Sequence, residues 1–132
     1  MTTILNAVSG TGLTQTADGS GVLKVQSNGV TTNALAWVNF NGTNGSIRAA
    51  YNVSSVTRVS TGTYSVAFTT ATTDANYSVS LMSSIASAAS NGTANQLLES
   101  TTPTTSGFTW NNYKTGTGVF DPLYAHVNVF GN

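Results

Sequence analysis

Read two residues at a time, most of this chain alternates. In "ALAWVNFN" Ala36, Val38 and Phe40 fall on one side, and Trp37, Asn39 and Asn41 on the other. In "TGTYSVAFTT" Tyr64, Val66 and Phe68 oppose Ser65, Ala67 and Thr69, with Gly62 freeing the backbone at the preceding turn. A period of two belongs to a strand with one dry and one wet face. The runs are short and bounded by clusters such as "ADGSG", "SNG", "NGTNG", "STGT", "TTDAN" and "KTGTG", whose Gly, Asn and Asp suit chain reversals. The pattern predicts strands over 3–8, 21–26, 34–41, 46–51, 55–59, 63–69, 77–83, 108–113 and 124–130. Residues 83–96, "SSIASAASNGTANQ", have small side chains with little to bury; a turn of helix, a strand extension and a long loop are all open to them, and the reading taken is a surface loop.

Half-buried strands of this kind predict an all-β fold, an antiparallel β-sandwich of jelly-roll type. The 132 residues fit one domain spanning 1–132, with 1–20 open to use as an N-terminal attachment strand or arm. Abundant Thr and Val suit pleated surfaces, and Gly and Asn suit the turns.

Charge narrows the functions. Lys24, Arg48, Arg58 and Lys114 balance Asp18, Asp74, Glu99 and Asp121, and charged residues make up 6% of the chain. There is no basic footprint for nucleic acid and no expectation of membrane insertion. The absence of cysteine removes disulfides and thiolate chemistry. The opening "MTTILNAVSGTG" has neither the basic region nor the apolar run of a signal peptide. Weak self-repulsion favours membership of a larger assembly.

Catalytic and metal chemistry find little footing. His126 is the only histidine and sits in "YAHVNV", mid-strand, with no Gly-x-Ser-x-Gly elbow anywhere in the chain. Asp18, Asp74 and Asp121 occupy turn contexts in which an acid caps its own backbone, although a carboxylate pair for sugar hydrolysis stays open. "DGSG" is too short for a calcium loop. The expectation is no enzyme, no cofactor and no metal.

Aromatic residues carry more. Trp37 lies among amides on the face that should be wet. On the last strand Leu123, Ala125, Val127 and Val129 share one side, and Tyr124, His126, Asn128 and Phe130 share the other. Aromatics opposite the aliphatic side require a cover, supplied either by the same chain or by a partner. Trp37, Asn39, Tyr124 and Phe130 are therefore candidate interface residues. The stretch "TSGFTWNNYKTGTG" is a candidate ligand loop through Trp110, Asn112 and Tyr113, while Trp110 shares a side with Phe108 and is equally open to burial.

Three segments, "LTQTADGSGVLKVQSNGVTTNALAWVNFNGT", "IRAAYNVSSVTRVSTGTYSVAFTTATTDANYSV" and "HVNVFGN", resemble a recurrent module of tailed-bacteriophage virion proteins. That module is common in tail fibres of marine and cyanobacterial phages. The likeness runs from about Gly12 to Asn132 apart from 83–105. It implies a homotrimer and a place on the virion exterior, after synthesis in the bacterial cytoplasm. The implied partners are further copies of the chain, other virion proteins of tail, baseplate or capsid, and host surface glycan or an envelope component. Family members carry the module at the end of a longer fibre chain, whereas here a Met almost directly precedes it. The expected function is thus a short fibre or adhesion module. Capsid decoration is the alternative, and a small polysaccharide depolymerase the lesser one.

Overall fold

The computed structural model describes residues 25–85, 93–98, 100–114, 116 and 118–131, and among these it is all-β, without helix. In chain order the strands are β1 (Gln26–Ser27), β2 (Val30–Thr31), β3 (Ala36–Phe40), β4 (Ile47–Tyr51), β5 (Val53–Ser60), β6 (Thr63–Phe68), β7 (Ser78–Ser83), β8 (Thr93–Leu97), β9 (Gly107–Lys114), β10 (Gly118–Val119) and β11 (Ala125–Phe130). β1 and β2 form a small hairpin whose two-residue turn places Asn28 and Gly29 at φ 51° and 80°, as an Asn-Gly turn of the twist-matched kind requires. The other strands form two antiparallel sheets. One runs β4-β3-β11-β7; the other runs β5-β6-β9, with β8 and β10 both paired to β9.

The alternation read from the sequence sets the core. Ala36, Val38 and Phe40 of β3 and Ala125, Val127 and Val129 of β11 belong to the same buried cluster as Tyr64, Val66 and Phe68 of β6 and Phe108 and Trp110 of β9. Aromatic contacts cross between the sheets. Phe40 meets the Tyr64 ring edge-on at 5.2 Å between centroids and the Trp110 ring at 6.3 Å. A second group joins Phe68, Tyr77 and Phe108 with centroids 5.5 to 6.1 Å apart. Burial pushes the Tyr77 phenol up to about 12, and as a neutral donor it bonds the carbonyls of Thr104 and Gly107 at 2.9 and 3.0 Å.

The chain passes from the first sheet to the second at Asn52, held at φ 54°. Its amide donates to the carbonyls of Leu35 and Thr70 at 3.0 and 3.1 Å and accepts from the Thr70 N–H at 2.8 Å. Asn tolerates this backbone region better than most residues, and its side chain supplies the bonds a turn would otherwise lack. Asn52→Ala is expected to destabilise the fold by about 2 kcal/mol in urea titration. Asn52→Gly, which keeps the backbone angle, should recover part of that loss; equal losses would show that the angle contributes nothing.

Some expectations are corrected. Residues 83–96 are not simply a loop: β7 ends at Ser83 as expected, but Thr93–Leu97 forms β8, an edge strand against β9. Its own residues lack an aliphatic alternation, so pairing makes this strand rather than hydrophobic pattern. β10 likewise exists through pairing with Tyr113 and Lys114. Leu123 does not continue the inner face of β11; it is exposed, because the chain leaves Pro122 off the sheet and joins it only at Ala125. The strand expected over 3–8 and most of that over 21–26 lie outside the described residues.

Candidate functional site

The alternation that buries one face of the β4-β3-β11-β7 sheet turns Trp37 and Asn39, and His126, Asn128 and Phe130, to the other. Register fixes the neighbours. Trp37 lies between Tyr51 on β4 and Asn128 on β11, and Asn39 lies between Ala49 and His126. Beyond β11, Ser80 and Met82 of β7 complete the two rows. Trp37 is 37% exposed, Phe130 41% and Met82 68%, so a face with several large apolar side chains stands uncovered by the described residues. Tyr124, also exposed, stands at its rim under the Arg48 guanidinium, which lies 4.5 Å from the ring centroid and donates to the Leu123 carbonyl at 2.8 Å. No other charged side chain lies in these rows. Asn39 adds an oddity: its Oδ1 is buried and has no hydrogen-bond partner among the described residues.

The four candidate interface residues are therefore brought together on one sheet face and its rim. The candidate ligand loop is not. Trp110 and Asn112 are corrected to interior residues: the strand expected over 108–113 forms as β9, and its alternation turns both side chains inward, fully buried. The Trp110 indole packs on Tyr64 at 5.2 Å between centroids, and its N–H has no described partner. Asn112 ties elements together: its Oδ1 accepts from Ser83 Oγ at 2.7 Å, and its Nδ2 donates to the Phe120 carbonyl at 2.9 Å. Only Tyr113 faces outward, on the second sheet's outer surface and 42% exposed.

Arg58, Tyr64 and Asp121 form a cluster that no sequence pattern announces, and Asp121 is corrected from an acid capping its own turn to an acceptor for distant segments. Asp121 Oδ2 accepts from Arg58 Nε and Nη2 at 2.9 and 2.7 Å, and Oδ1 accepts from the Gly62 N–H at 2.8 Å and the Tyr64 hydroxyl at 2.7 Å. Burial pushes this carboxyl up, but the guanidinium and the two further donors outweigh it and hold the group below its ordinary value. Burial first, and then the bond to Asp121, push the Tyr64 phenol far up, so it stays a neutral donor. Asp121 also borders a concavity of about 460 Å³ between Thr43, Ser84 and the Phe120–Tyr124 connection. A carboxylate with both oxygens so engaged has no reason to take up or release a proton there; the cluster is a clamp on the β5–β6 turn. No sequence signal could have found it, since Arg58 and Asp121 are brought together only by folding. Asp74 is a turn acid as expected, its carboxylate accepting from the Asn76 N–H at 2.7 Å.

Comparison of the chain with protein-family models, with curated proteins and with solved structures finds no match.

Proposed function

We propose that this chain is a non-enzymatic structural protein of a tailed-phage virion, a jelly-roll-like β-sandwich that assembles as a homotrimer. In this reading it is displayed on the particle exterior as a short fibre or adhesion module that meets host surface glycan. The observation that carries the reading is the uncharged, aromatic outer face of the β4-β3-β11-β7 sheet. Contiguous exposed apolar surface is disfavoured on a monomer and belongs to contact surfaces. The sequence resemblance supports the location and the trimer. The engagement of Asp121, and the placing of His126 opposite Asn39 and Met82 rather than beside a described acid, support a role without turnover.

Light scattering across a wide concentration range should return about three times the chain mass of 13.5 kDa. Trp37→Ser should dissociate that assembly or make its unfolding depend on concentration, because truncating a central interface aromatic typically costs on the order of 2 kcal/mol. A persistent monomer, or a Trp37→Ser variant that stays trimeric and melts independently of concentration, would remove the interface. In a density map of the whole particle the protein should stand at symmetric exterior positions on the tail; positions on the capsid lattice would replace the fibre role with decoration.

A further inference from the structure

The outer face of the second sheet is the chemical opposite of the first. Strand register sets its side chains in rows: Ala94, Tyr113 and Val119; then Gln96, Asn111 and Thr63; then Thr109, Ser65 and Thr57. Successive rows are two residues apart along each strand, roughly 6.6 Å. Beyond the third row Thr101, Thr102, Thr104 and Ser106 join Ser65 and Thr109 around a concavity of about 260 Å³. The rows thus pass from an exposed aromatic, through amides, to hydroxyls, and none of their side chains is charged.

We propose that this face binds an uncharged oligosaccharide, with Tyr113 stacked on one sugar ring and the row of Gln96, Asn111 and Thr63 bonding hydroxyls of the next. The inference rests on the adhesive part of the function proposed above and moves its site from a loop to a sheet face. A pyranose has a C–H face that suits an aromatic ring and a rim of hydroxyls that both donate and accept. Primary amides and hydroxyls match that rim, because each also donates and accepts. An acidic sugar would call for a cation, and the rows hold none. Thr63 Oγ1 donates to Asn111 Oδ1 at 2.8 Å, so this amide is oriented before a ligand arrives and has less freedom to lose on binding. From Tyr113 to the concavity beside Gly107 the surface runs about 20 Å along β9, which fits several linked sugars rather than one.

The test uses the full chain, titrated by calorimetry with gluco-, manno- and galacto-oligosaccharides as the uncharged set and with galacturonate oligomers as the acidic set. Light scattering is run on every sample. At least one uncharged oligosaccharide should bind, and Tyr113→Ala and Asn111→Leu should each weaken it about tenfold while the assembly keeps its mass and melting temperature. Tyr113→Phe, which keeps the ring, should retain binding. The inference is overturned if no uncharged member binds, if only the acidic set binds, or if Tyr113→Ala binds like the parent chain. It is also overturned if Tyr113→Ala lowers the assembly mass, since a second copy would then occupy this face. An intact trimer that binds no sugar would sink this inference and leave the assembly reading standing; a monomer that binds sugar through Tyr113 would do the reverse.

Discussion

Trp110→Ala is expected to destabilise the chain by about 4 kcal/mol, within the range for truncating a large buried aromatic side chain. The indole is 0% exposed and packs against both Phe40 and Tyr64, so its removal leaves a void at the place where aromatic rings of the two sheets meet. The neighbours that would have to collapse are themselves fixed, Phe40 by its contacts across the sheets and Tyr64 by its hydroxyl bond to Asp121. For a chain of this size the loss corresponds to a fall in Tm on the order of 15 °C at fixed protein concentration. Trp110→Phe should lose clearly less, because the Nε1–H has no described partner and only volume is given up. A Trp110→Ala variant that melted like the parent but bound a glycan more weakly would return this indole to the role of a ligand platform.

Asp121→Ala should cost about 3 kcal/mol, since it leaves the Gly62 N–H, the Tyr64 hydroxyl and the Arg58 guanidinium without their common acceptor. Gly62 turns the β5–β6 hairpin at φ 69°, and a Cβ there would lie 2.8 Å from the Asn112 carbonyl oxygen, so the clamp holds a turn against the end of β9. The carboxyl is depressed in the folded chain. Its contribution is therefore fully present above the unfolded value, near pH 4, and is lost as the pH falls through the lower folded value. Urea titrations at successive pH values should show stability dropping below about pH 4 in the parent and a flatter profile in Asp121→Asn. With only four acids in the chain, few other groups can produce that slope. Parallel profiles in the two proteins would place the acid sensitivity elsewhere.

The same alternation that exposed the fold also misled about part of the site. It placed Ala36, Val38, Phe40, Tyr64, Val66 and Phe68 correctly in the core, because one dry face per strand is a local property. It put Trp110 on the side of Phe108, which was right, yet left a ligand role open because the flanking "TSG" and "KTGTG" resemble loop ends. The strand expected over 108–113 forms as β9, paired with β6, β8 and β10, and the second sheet's packing on the first closes over its Trp110 face. Asn112, polar and expected to meet ligand, is interior because Ser83 and Phe120 satisfy its amide from two other parts of the chain.

What the sequence determined by itself is which residues form strands with a dry face, and hence an all-β chain with Trp37, Asn39 and Phe130 turned away from its core. Side-chain period and turn chemistry act over a few residues and need no knowledge of the rest. The tertiary structure decided what depends on distant partners. Pairing made strands of Thr93–Leu97 and Gly118–Val119, packing closed the interior around Trp110 and Asn112, and Arg58 met Asp121 across the fold. Strand order then gathered the outward residues into one aromatic face and one face of amides and hydroxyls. Each of these follows from long-range hydrogen bonding and packing, in which an acceptor or a neighbouring side chain is supplied by a segment remote in sequence.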